Sequence, residues 1–116
     1  MAKHATIKVT PSSGNVFADM GFADPDEELT RAQLASRIQQ VITQRRLTQV
    51  AAARLMGVDQ PKVSALLNGR LANFSSTRLM RLLTTLGQDV EIVVRATPRN
   101  RQQGRVRVVS AGSSAT

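Results

Sequence analysis

Twenty residues in the middle of the chain, Gln49–Asn68 (QVAAARLMGVDQPKVSALLN), constrain the fold more than any other part. Ala53 places a single methyl where a larger side chain would hold two crossing helices apart. Gly57 lies four residues on, where the chain must reverse through positive φ at little steric cost. Around these two, Ala52, Met56, Val58, Val63 and Leu66 are apolar at the positions that face inward when a helix before Gly57 packs on a helix after it. Thr48 is a good N-cap for the first helix, which should end near Met56. Asp59 caps the second, which runs to about Leu67 and stops at Asn68-Gly69. The segment predicts two short helices crossing closely through a tight turn. A helical pair with no binding role would share part of the pattern.

The helical period continues on both sides. Thr30 and Gln33 have the form of a capping box, and behind them Leu34, Ile38, Val41 and Ile42 make one apolar stripe. Ser75 caps a last helix in which Leu79, Leu82, Leu83 and Leu86 repeat the spacing and Gly87 ends it. Phe74, just before that helix, is expected in the core. Residues 29–87 therefore predict a bundle of short helices joined by short loops. Residues 1–28 read as an extended arm, with a short alternating strand at Thr6–Val9 and a turn cluster at Pro11–Gly14. After Gly87 the period changes. Val90, Ile92 and Val94 alternate with Glu91, Val93 and Arg95, a strand pattern broken by Pro98, and Arg105–Val109 has the same form. The two could pair as a hairpin, or the first could pair with its counterpart in a second copy. Residues 110–116 are a small-residue tail, expected to be disordered. The fold class is mainly α, with four to five helices, a short C-terminal β-strand and an extended N-terminal arm.

Charge narrows the function. Lys and Arg number 16 against 8 Asp and Glu, a net +8, and the excess is concentrated. Residues 30–87 hold nine basic side chains against Asp59 alone, whereas residues 1–29 hold two Lys against Asp19, Asp24, Asp26, Glu27 and Glu28. A block with so little internal neutralisation repels itself, and a polyanion would relieve it; a solvated basic surface would account for the charge alone. Aromatic residues make up 3% of the chain, too few for platforms that stack single-stranded bases, so duplex DNA fits better than RNA. There is no Cys, and His4 is the one His. No thiol nucleophile, Cys-based zinc site or carboxylate pair arises in the helical block, so no enzyme, metal or cofactor is expected. No run approaches the roughly 18 apolar residues of a membrane span, and Met1–Val9 lacks a signal-peptide core, which suggests a cytoplasmic protein with no membrane partner.

The paired-helix segment has the form of a helix-turn-helix. Through Gln49, Ala53, Gly57, Val63 and the LLNGR run at Leu66–Arg70, residues 31–87 resemble the lambda-repressor-like (Cro/cI, or XRE) family. The resemblance implies that Gln49, opening the first motif helix beside Thr48, contacts a phosphate. It also implies that Gln60, Pro61 and Lys62, with Ser64 one turn in, reach base edges in the major groove. Asn68 and Arg70 match positions that hold backbone phosphates. The side chains suit these roles: Gln60 can bond adenine bidentately, Lys62 can donate to guanine or a phosphate, and Ser64 can reach either. Pro61 departs from the family pattern, where a hydroxyl residue is common, and offers only apolar contact. Arg54, Arg78 and Arg81 suit a contact or a solvated surface equally. One short helix reads about half a helical turn, so two half-sites about 34 Å apart, and hence a homodimer, are implied. Val90, Ile92 and Val94 are the candidate dimer element.

The amino-terminal SSGNVFADMGF and the late LGQDVEIVVR resemble a narrower group, the HigA-like antitoxins, encoded beside small RelE/HigB-like ribonuclease toxins. That resemblance implies a type II toxin–antitoxin module in which the chain represses its own operon by binding double-stranded operator DNA and neutralises a small basic toxin. Val16, Phe17, Met20 and Phe22, on an arm rich in acids, would be the toxin anchors, although Phe17 and Phe22 could instead fold back on the helical core. Two other readings remain: a stand-alone XRE-family repressor without a toxin, and a basic protein that binds nucleic acid without sequence preference.

Overall fold

The structure is a computed structural model in which residues 25–111 are described. The expectations for residues 1–24, including the strand at Thr6–Val9 and the anchors Val16, Phe17, Met20 and Phe22, lie outside the described residues, as does the tail from 112. Four helices are described: α1 (Pro25–Gln44), α2 (Gln49–Met56), α3 (Gln60–Leu67) and α4 (Ser76–Thr85). The long α1 packs against α4 and α3, and α2 packs against α3 and α4.

Helix α1 begins earlier than the capping-box reading placed it. Pro25 opens it, with φ already set for a helix and no N–H to satisfy. Asp26, Glu27 and Glu28 fill its first turn, where their charge meets the positive end of the helix dipole. Thr30 is therefore not a cap. It is buried inside the helix, and its hydroxyl donates to the Asp26 carbonyl at 2.9 Å. The expected stripe is buried as read: Leu34, Ile38, Val41 and Ile42, joined by Ala35. These meet Val63 and Leu66 of α3, Leu79, Leu82 and Leu83 of α4, and Phe74 in one core. Ile38, Val63, Leu66 and Leu79 are each 0% exposed.

All four described helices end in the same closure, in which an N–H beyond the helix reaches back five residues: Leu47 to Ile42 (3.0 Å), Val58 to Ala53 (3.1 Å), Arg70 to Ala65 (2.9 Å) and Gln88 to Leu83 (3.0 Å). The closure requires a left-handed residue. Gly57 supplies it after α2 at φ 69°, but after α1 the position is held by Arg46 at φ 55°. An L side chain there costs about 1 kcal/mol. Arg46→Gly is accordingly expected to stabilise the fold by roughly 0.5–1 kcal/mol. Thermal unfolding checks this, and a lower midpoint would mean that the Arg46 side chain makes a contact worth more than the strain.

No residue of 88–111 lies in a strand, which corrects the expectation of a C-terminal strand at Val90, Ile92 and Val94 and of a hairpin with Arg105–Val109. An alternating sequence becomes a strand only when a neighbour completes its ladder, and neither stretch meets one within the chain. Val90, Ile92 and Val94 are 36%, 77% and 90% exposed. The segment instead turns at Pro98, whose carbonyl accepts from Arg101 N at 3.1 Å. It then returns to α1, where Val108 N donates to Gln33 Oε1 at 3.2 Å and the Val108 side chain packs on the core. Gln33, read as half of a capping box, is thus the anchor of the returning chain.

Candidate nucleic-acid interface

Helix α2 starts where Thr48, extended at φ −74° and ψ 165°, turns its hydroxyl oxygen to accept from Ala51 N at 3.0 Å. Gln49 follows as the first helical residue, half-buried, among the backbone N–H groups that a helix start leaves pointing outward. Ala53 is 9% exposed at the crossing with α3, so the small residue and the left-handed Gly57 hold the positions read from the sequence. Ala52, Met56, Val63 and Leu66 are buried, while Val58 is half-buried and packs on the core.

The first turn of α3 is built by Asp59. Its Oδ1 accepts from Lys62 N at 3.2 Å, capping one orphan donor, and Pro61 occupies a first-turn position whose N–H has no partner to lose. Val63 and Leu66, fully buried, fix the roll of the helix about its axis. Gln60 and Pro61 are therefore exposed, Lys62 half-buried beside them, and Ser64 half-buried one turn on. Asn68, the C-cap, donates from Nδ2 to the Ser64 carbonyl at 2.8 Å and approaches Ser64 Oγ at 3.4 Å. This bond brings two of the predicted site residues together along one edge of α3. Arg70 is exposed just beyond Gly69.

Several of the block's nine cations make contacts within the fold. Arg31 pairs with Glu28 and donates to the Phe74 carbonyl at 3.2 Å. Arg45 donates to the Leu86 carbonyl at 3.0 Å, at the negative end of α4. Arg78 lies over the Phe74 ring, 5.5 Å from its centroid. With Arg81 it lines a shallow cleft between the α2–α3 turn and α4, closed by Gly57, Val58, Ser75 and Thr77. Arg54 and Arg70 are exposed. The one carboxylate of the block, Asp59, sits against the α3 start, whose dipole offsets its charge. Within residues 30–87 the exposed charge is therefore mostly cationic.

Sequence reasoning missed the side chains that position α3. Gln39 Nε2 donates to the Leu66 carbonyl at 2.8 Å, tying the end of the helix to α1. The available signal was a polar residue next to the buried Ile38, on the flank of the stripe. Among the described residues no group of His, Asp and Glu is placed to hold a metal ion, and no helix is long and apolar enough to cross a membrane.

Comparison with known proteins agrees with this geometry. A family model described as a helix-turn-helix domain matches residues 16–95. A solved structure described as an XRE family transcriptional regulator is similar at 51% identity and a TM-score of 0.74, over 76% of this chain and 99% of that one. No curated protein matches.

Proposed function

The chain belongs to the helix-turn-helix family of XRE-type transcriptional regulators, and from that premise we propose that it is a dimeric repressor that reads its operator through α3 and serves as the antitoxin of a type II toxin–antitoxin pair. The observation that carries the reading is the first turn of α3, with Gln60 and Pro61 exposed beside Lys62 and Ser64 on a helix whose roll is locked by Val63 and Leu66. A rigid, cationic edge one helix wide fits the major groove. Gln60 pairs with an adenine edge, Lys62 with guanine or a phosphate, Ser64 with either, and Pro61 rests on a thymine methyl. Thr48, Gln49, Asn68 and Arg70 hold phosphates on either side. Gln60→Ala is expected to cost roughly 1–3 kcal/mol at one base position and leave the other positions unaffected. Operator variants substituted one pair at a time would check this, and equal losses at every position would contradict it.

The dimer and the toxin are the further parts of the proposal. Val90, Ile92 and Val94 offer an apolar, unpaired stretch that a second copy can complete as a strand pair, placing two α3 helices for two half-sites. The arm carries Val16, Phe17, Met20 and Phe22 as apolar anchors for a basic ribonuclease. Three of the acids read with that arm, Asp26, Glu27 and Glu28, stand in the first turn of α1, where Glu28 pairs with Arg31. Purification of the tagged chain from its native locus tests this part. A stoichiometric small basic partner that is lost on removal of residues 1–24, with DNA binding retained, is the expected result. A dimer that purifies alone would leave a repressor without a toxin.

A further inference from the structure

Beyond α4 the chain carries a second concentration of positive charge that the operator reading does not use. Arg95, Arg99, Arg101, Arg105 and Arg107 fall within thirteen residues, and no Asp or Glu follows Glu91. Arg95, Arg99, Arg105 and Arg107 are exposed; Arg101 is half-buried and donates to the Gln103 carbonyl at 3.4 Å. The loop that bears them is held at both ends. Gln88 N closes on Leu83 O at one end, and at the other Val108 is fixed on α1 through Gln33 and on the core through its side chain.

We infer that this loop is a second DNA contact, a clamp on backbone phosphates other than those held by α2 and α3; the inference rests on the proposed DNA reading. Three features support it. The charge is of one sign and entirely arginine, the side chain whose planar fork matches phosphate oxygens. A solvated surface kept only for solubility would mix signs. The residues between the arginines, Thr97, Asn100, Gln102 and Gln103, are further donors of the kind that bind phosphate and sugar. Anchoring at Gly87–Gln88 and Val108 holds the guanidiniums beside the folded domain, so less freedom is lost on binding than for a free tail. A basic toxin would be repelled by the same charge, which leaves the duplex as its polyanion.

The test is the salt dependence of binding by the full chain and by the triple variant Arg99→Gln, Arg105→Gln, Arg107→Gln. Each is titrated on a duplex from the promoter of its own operon and on a random duplex of equal length. Each phosphate contact contributes about 0.9 to the slope of log K against log salt, and the proposed dimer carries the loop twice, so the triple variant, which removes six arginines per dimer, should show a slope shallower by about 5 on both duplexes, with their ratio unchanged. The single variant Arg99→Gln should lose about two contacts' share, one from each copy, and the corresponding triple Lys variant should restore the slope. An unchanged slope with operator preference retained overturns the clamp and leaves the α3 reading standing, as it would if the loop served an acidic protein instead. A shallower slope in a protein that never preferred the operator sustains the clamp and removes the α3 reading.

Discussion

Leu66→Ala is expected to lose roughly 3–5 kcal/mol of stability and to abolish DNA binding with it. Leu66 is fully buried where α3 meets α1, and its carbonyl receives the Gln39 amide at 2.8 Å. Alanine there leaves a cavity between helices that cannot close, because α3 is held at its start by the Asp59 cap and at its end by the closure of Arg70 N on Ala65 O. A domain of this size has only about 5–10 kcal/mol in hand, so the midpoint of thermal unfolding should fall by roughly 10–30 °C. Leu67→Ala is the matched control. Its side chain is half-buried at the edge of the same core, and the loss should be about 1 kcal/mol. Equal losses for the two would contradict the placement of α3.

The double variant Ile92→Asp, Val94→Asp is expected to leave the fold intact and to weaken operator binding by roughly 10²–10⁴-fold, the loss of a linked second half-site. Both side chains are largely exposed in the single chain, at 77% and 90%, so the monomer loses no core contact. In the proposed dimer they lie in a strand pair, where four carboxylates facing one another would separate the copies. Sedimentation should show a monomer with an unshifted unfolding midpoint. A variant that sediments like the parent and binds its operator equally well would move the dimer contact elsewhere on the molecule.

The parts of this fold that were legible in the sequence are those set by local chemistry. Thr48, Asp59 and Ser75 each cap the helix that follows them, Gly57, Gly69 and Gly87 each close one, and the apolar spacing put Ile38, Val63, Leu66 and Leu79 in the core. The start of α1 was misplaced because two start signals compete over six residues. Thr30 and Gln33 have the right spacing for a capping box, but Pro25 with three acids behind it begins the helix sooner. The strand at Val90–Val94 failed for a different reason. Alternation marks a chain suited to a sheet, yet pairing depends on a partner at long range, and within this chain the returning segment gives its hydrogen bond to Gln33 instead. Of the candidate site, the residue positions on α2 and α3 were legible. The clamps made by Gln39, Arg31 and Arg45 onto distant carbonyls were not, since a polar side chain beside an apolar stripe looks the same whether solvated or bonded across the core.

The central claim, that α3 reads sequence, is tested most directly by a competition titration. The full chain is bound to a labelled duplex from the promoter of its own operon at fixed salt, then challenged with that duplex unlabelled or with random duplex of equal length. The α3 reading predicts that random DNA must be present in roughly 10³-fold or greater excess to match the operator as competitor. Release by both competitors at the same concentration would contradict it and leave a basic protein that binds DNA through charge alone.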